Sequence, residues 1–174
     1  MRELQLICAL VLLSFMMSAC SIRSSQLSSV LELVQGSTED YSESAWMIRY
    51  GDYRAQVQAL NFEGGILFSN SLGDQAFFDG WTITKALGLG MLRGSWSVRD
   101  DAEGRHFSRL SRLTTFPSCA AWEFTLEAEV TQYTQACPGT VEYSNSILVN
   151  AKGEIIHIRQ SLNGGASFVT LSKM

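Results

Sequence analysis

Hydrophobic and polar positions along this chain change their period twice. From Leu4 to Met17 the residues are almost all apolar. Further on, Leu27, Val30, Leu31 and Val34 recur at the i, i+3, i+4, i+7 spacing of one helix face. This spacing predicts a short helix over about 27–35, with Ser24 or Ser25 as its cap and Gly36 where it stops. From about Ala45 onward the period becomes two, in short runs broken by Gly, Asn and Asp. The clearest run is 122–130, where Trp122, Phe124, Leu126, Ala128 and Val130 alternate with Glu123, Thr125, Glu127 and Glu129. Read as one strand, it puts one face in the core, Trp122 included, and the other in water.

Turn chemistry divides the rest. Glu63-Gly64-Gly65 and Ala151-Lys152-Gly153 each separate two β-rich runs, as hairpin turns do, and Phe168 to Leu171 would form a last strand. Roughly nine or ten strands at short spacing, with no parallel crossover unit, predict an all-β fold. The expected form is an antiparallel meander closed into a barrel, half-barrel or sandwich, preceded by the short N-terminal helix. That helix could dock on the β domain or lie on lipid; it lacks the basic polar face that interfacial helices favour, so docking is expected.

Residues 1–19 have the layout of an export signal: Arg2, partly cancelled by Glu3, then an apolar segment too short to span a bilayer, which needs about 20 residues. Met17-Ser18-Ala19-Cys20 is the arrangement of a bacterial lipoprotein cleavage site, although Met stands where Leu is usual. Acylation of Cys20 with two or more chains would anchor the protein stably, where one chain would bind only reversibly. An ordinary secretory signal before a free or disulfide-bonded Cys20 is the alternative. Ser21, with no Asp after the cysteine, resembles lipoproteins sent to the outer membrane, facing the periplasm. The organisation expected is signal peptide 1–19, tether 20–26 and one β-rich domain over 27–174.

Composition is consistent with export of a globular domain. The chain has 174 residues, 46% hydrophobic, with two prolines and a formal net charge of −4. Loss of the signal removes Arg2 and Glu3 together and leaves that balance unchanged. A mildly acidic chain gives no reason to propose nucleic acid as a partner.

With Cys8 lost in the signal and Cys20 lipidated, Cys119 and Cys137 are left together. In an oxidising compartment they are expected to pair. A metal pair or a redox dithiol is the rival reading, but no CxxC spacing and no third ligand stand nearby, so no metal or cofactor is expected.

Catalysis finds little support. His106 and His157 are the only histidines, no GxSxG surrounds either, and Glu123, Glu127 and Glu129 read as the wet side of a strand rather than as a glycosidase pair. No catalytic residue is assigned. Binding has more: Arg93, Arg99, Arg105, Arg109 and Arg112 cluster between Leu92 and Leu113. Guanidinium forks suit the carboxylates or phosphates of an anionic polysaccharide or of lipid A. On this reading Trp96, Arg99, Arg105 and Arg109 are the candidate glycan site, with Arg112 on the opposite face of a continuous strand. The competing reading is a solvated face neutralised in part by Asp100, Asp101 and Glu103. Trp46, Trp81 and Trp122 could also stack on sugars, and a half-open barrel could instead hold an acyl chain.

Two segments resemble a known family. "DGWTITKALGLG" (79–90), with Lys85 before Gly88-Leu89-Gly90, and the closing "VEYSNSILVNAKGEIIHIRQSL" (141–162), with Asn145, Gly153 and Arg159-Gln160-Ser161, are similar to the YjbF/GfcB (YmcC-like) lipoproteins of exopolysaccharide and group 4 capsule operons. The resemblance implies an outer-membrane lipoprotein without established enzymatic activity, serving polysaccharide secretion or assembly beside an outer-membrane β-barrel partner. Ile147, Leu148, Ile155 and Ile156 stand where the family often has aromatics, so no aromatic sugar platform is expected in that hairpin.

Overall fold

The computed structural model describes residues 45–91 and 94–174. The signal segment 1–19, Cys20, the tether 20–26, the helix expected at 27–35, Leu92 and Arg93 lie outside the described residues. Thirteen strands are present among the described residues. They are β1 (Ala45–Tyr50), β2 (Tyr53–Phe62), β3 (Gly65–Ser69), β4 (Gln75–Phe78), β5 (Ile83–Leu87), β6 (Ser95–Asp101) and β7 (Gly104–Arg109). They continue as β8 (Arg112–Phe116), β9 (Glu123–Glu127), β10 (Val130–Cys137), β11 (Tyr143–Asn150), β12 (Ile155–Ser161) and β13 (Phe168–Lys173).

One antiparallel sheet holds them all, in the order β8-β7-β6-β5-β4-β3-β2-β1-β13-β12-β11-β10-β9. Two meanders therefore meet at the centre, where the first strand pairs with the last, Ile48 opposite Leu171. The two edges, β8 and β9, are consecutive in sequence and joined only by residues 117–122. Laid flat, thirteen strands would set those edges roughly 58 Å apart. The connection reaches at most about 25 Å. The sheet must therefore curl, and it does so as a half-barrel, helped by register shifts at Phe77/Phe78 and Leu148/Val149.

The concave face is the core. Trp46, Ile48, Phe68, Phe78, Trp96, Ile158 and Leu171 are buried there, with Trp46 edge-on to Phe68 and Tyr50 tilted against Trp96 at 5.1 Å. Opposite walls are also tied by polar side chains. Gln160 of β12 donates its amide to the Trp81 carbonyl and accepts from the Ile83 amide at 2.7 Å. Trp81 and Ile83 lie in one family-like segment and Gln160 in the other, so those segments meet inside the fold.

Several expectations need correction. The run 122–130 is not one strand: the chain reverses at Ala128 and Glu129, between Glu127 and its partner Val130. Ala128 has φ 52°, a left-handed turn with no Gly or Asn to announce it. Nor is its apolar side core, because β9 is an edge strand and all five of its residues are exposed. Trp122 is half-buried rather than interior. Likewise, Arg112 does not oppose Arg109: the chain turns at Leu110 and Ser111, and the two arginines face each other across the β7–β8 hairpin, on one side of the sheet.

Cys119 and Cys137 form a disulfide, with Cα atoms 4.2 Å apart. It fastens the inter-edge connection to β10, beside the backbone bond from Ala120 N–H to the Ala136 carbonyl at 2.8 Å. The bridge spans a sequence separation of 18. Replacing both cysteines with serine is expected to lower the unfolding free energy by about 3 kcal/mol. Urea denaturation of the non-reduced wild type against the double variant measures it; equal midpoints would show that the connection is held by packing alone.

Candidate functional site

The arginine-rich region forms the β6–β7–β8 end of the sheet. Register puts Trp96 opposite Arg109, and Asp100 opposite Arg105, on one face. Trp96 is 0% exposed and cannot serve as an open sugar platform. Its outer ring face is closed by Arg109, whose guanidinium carbon lies 5.3 Å from the ring centroid. Arg105 is only 3% exposed, and its fork binds both oxygens of Asp100 at 2.8 and 2.7 Å. Its remaining nitrogen reaches Gln135 Oε1 at 3.4 Å and Cys137 Sγ at 3.6 Å. Burial works against the charge, but the Asp100 carboxylate outweighs it and holds the Arg105 pKa above the ordinary value. Beside it the Tyr143 pKa is raised, mainly by burial and against the pull of Arg105. The Tyr143 hydroxyl lies near the guanidinium without completing a hydrogen bond of good geometry. Arg105 is therefore a structural cation. Arg99 is exposed and pairs with Asp101 at 3.0 Å. The proposed four-residue anion receptor does not assemble.

The family-like residues are structural as well. Gly88, Leu89 and Gly90 have φ of 74°, 53° and 77°. This tight turn aims the neighbouring Leu89 and Gly90 N–H groups at one point, where an anion can sit. Here the anion is the protein's own Asp74, 2% exposed, which accepts from Leu89 N at 2.7 Å, Gly90 N at 3.4 Å, Asn70 Nδ2 at 2.8 Å and the Tyr53 hydroxyl at 2.5 Å. Burial alone would raise the Asp74 pKa, and these donors outweigh it, so the carboxyl is held below its usual range. In return Tyr53, donating to a carboxylate, is pushed up to about 12. A Cβ at Gly88 would sit 2.8 Å from Asp74 Oδ1, and one at Gly90 2.5 Å from the Tyr53 ring, so both glycines are required by space as well as by φ. Asn145, likewise buried, accepts from Ser161 N at 3.0 Å and donates to Gln135 Oε1 at 3.2 Å.

Neither histidine faces a recognisable catalytic cradle. His106 lies on the convex side between Asp101 Oδ1 at 2.8 Å and Thr115 Oγ1 at 2.9 Å, bracing β8 against β6 and β7. Asp101, Glu103 and His106 could converge on a cation, yet the ring nitrogen they would share is already hydrogen-bonded to Asp101. His157 bonds Ser172 Oγ at 3.0 Å, and burial, with Arg159 nearby, lowers its pKa.

What stands open is the other end of the sheet. Trp81, at the β4–β5 turn and 47% exposed, meets Trp122 at 5.5 Å and Tyr133 at 5.4 Å, and Tyr133 meets Phe124 at 6.1 Å. Phe124 is 70% exposed and Leu126 71%. Phe124 pairs with Tyr133 and Leu126 with Thr131, so these side chains share a face of β9. Glu123 and Glu127 occupy the opposite face, and no cation among the described residues bridges either. A continuous aromatic and aliphatic surface thus ends on a strand whose outer backbone edge has no partner among the described residues. Alternation identified which residues share this face. It carried no information on whether anything covers them.

Fold and surface together define an all-β half-barrel with an open, amphipathic edge strand and no assembled catalytic constellation among the described residues. The fold is similar to that of a solved protein, the hypothetical lipoprotein YmcC from Escherichia coli K12, with TM-score 0.51 and 14% sequence identity over 86% of this chain and 96% of that one. The fold therefore agrees with the resemblance read from 79–90 and 141–162. No protein-family profile matches the chain, and no curated protein matches it.

Proposed function

We propose that this chain is a lipid-anchored, non-enzymatic accessory protein of exopolysaccharide or capsule secretion, held by acylated Cys20 at the outer membrane and facing the periplasm. Its partner is an outer-membrane β-barrel of the same export system. The observation that carries this reading is the half-barrel likeness to a hypothetical lipoprotein, in a chain whose sequence before Cys20 reads as a lipoprotein signal. An open edge strand beside exposed aromatics supports a docking role, because a monomeric domain gains nothing by leaving Phe124 and Leu126 in water.

A second reading has its own support. Trp81, Trp122 and Tyr133 offer an aromatic surface on which sugar rings stack or an acyl chain can lie. This would make the chain a binding module for an anionic polysaccharide or a lipid.

Crosslinked pull-down from native membranes, wild type against Cys20→Ser, tests the choice. Recovery of an outer-membrane barrel with the lipidated chain and its loss from Cys20→Ser supports the accessory reading. Recovery of the wild type without any protein partner, carrying glycan or lipid instead, favours the binding module.

A further inference from the structure

We propose that β9 is a strand-addition site whose occupant is an extended segment of another protein that alternates Lys or Arg with apolar residues. This inference rests on the accessory reading and specifies its contact. The outer edge of β9 has no backbone partner among the described residues, so its free N–H and C=O groups can pair with an added strand. On one face Phe124 and Leu126 stand exposed, and alternate side chains of an added strand would cover them. On the other face Glu123 and Glu127 face outward with no bridging cation, and Glu129 follows in the turn. Charge complementarity selects the partner: opposite charges across a strand pair stabilise and like charges do not.

A second copy of this chain does not meet that requirement. Antiparallel pairing of β9 with itself about Thr125 would set Glu123 against Glu127 twice. Pairing with the β8 edge of another copy would meet the glutamates with Leu113 and Thr115, because Arg112 shares the face of Arg109 and the core. Such a head-to-tail contact would also leave further edges free and propagate. A basic, amphipathic strand from a different protein satisfies both faces at once.

The probe is a synthetic peptide of about seven residues alternating lysine and valine, within ordinary strand length, added to the full chain. Its glutamate–valine counterpart serves as control. Hydrogen exchange of residues 123–127 is expected to slow with the lysine peptide. Glu123→Lys combined with Glu127→Lys is expected to weaken that peptide about fivefold and to bind the glutamate peptide more tightly than the wild type does. Phe124→Ser is expected to weaken both peptides about tenfold. An unchanged melting temperature in the charge-reversed chain confirms that it is folded, since both glutamates are exposed. The proposal is overturned if the lysine peptide leaves 123–127 unprotected, or if charge reversal weakens both peptides alike. It is also overturned, with the accessory reading left standing, if the charge-reversed lipidated chain still crosslinks to an outer-membrane barrel at wild-type yield.

Discussion

Replacing Asp74 with alanine is expected to lower the unfolding free energy by about 3 kcal/mol. The carboxylate gathers the Leu89 and Gly90 amides, Asn70 and the Tyr53 hydroxyl; the Leu89 amide is enclosed and the other three donors are partly open to water. Without it, the left-handed backbone at Leu89 and Gly90 loses the acceptor that rewards it; the enclosed Leu89 amide is orphaned at about 1 to 3 kcal/mol, and the partly exposed donors recover water at a smaller cost. Asp74→Asn preserves the shape but removes the charge, and should fall between alanine and wild type. Urea denaturation at neutral pH measures all three. A loss below about 1 kcal/mol for Asp74→Ala would mean that the glycine loop holds its conformation without the anion.

The same carboxylate gives the protein an acid limit. Its folded pKa is depressed, so its contribution is full above the unfolded carboxyl range and is lost as pH falls through that range to the folded value. Wild type should therefore lose stability in acid more steeply than Asp74→Ala. Tyr53 acts at the other end. Its folded pKa of about 12 lies above the unfolded value of 10.0, so its contribution is present below pH 10 and declines as pH rises from there towards 12. Tyr53→Phe should flatten that alkaline decline.

Arg105→Ala is expected to cost about 3 kcal/mol, while Arg99→Ala and Arg109→Ala each stay within about 0.5 kcal/mol. The contrast follows from placement within one short stretch of sequence. Arg105 is enclosed, doubly bonded to Asp100, and links β7 to Gln135 and Cys137 on the opposite side of the half-barrel. Its loss empties an enclosed site and leaves one wall without its tie, while Gln135 keeps its bonds to Asn145 and the Ala120 carbonyl. Asp100 is half-exposed and recovers water, which keeps the cost below that of a fully buried pair. Arg99 pairs with Asp101 in water, where ion pairs contribute little. Thermal melts of the three variants are sufficient. Equal shifts for Arg99→Ala and Arg105→Ala would overturn the structural assignment and return Arg105 to the list of candidate ligand contacts.

Alternation and turn residues determined much by themselves. The period of two beyond Ala45, the turns at Glu63-Gly64 and Ala151-Lys152-Gly153, and the last strand beginning at Phe168 are local properties, set by which side chains fit a pleated chain and which residues reverse it. The pairing of Cys119 with Cys137 was legible too, because no other cysteine of the expected mature domain competes for either. What the chain could not announce were turns built without glycine or asparagine. Leu110, Ser111 and Ala128 take left-handed conformations that their residue types disfavour, held by the strands on either side. Without such a signal, 122–130 reads as a single strand and Arg112 falls on the wrong face.

Only the tertiary structure decided what is covered. Alternation groups Trp122, Phe124 and Leu126 on one face, just as it groups Trp96 with Val98. The second pair is enclosed because β6 lies within the curl of the sheet, and Phe124 and Leu126 are open because β9 is its edge, with Trp122 before it half-buried. Arg105 and Arg99 are likewise six residues apart in sequence, near the same aspartates, yet one is interior and one is wet. Burial is a property of how distant strands close over one another, and a two-residue period carries no record of that closure.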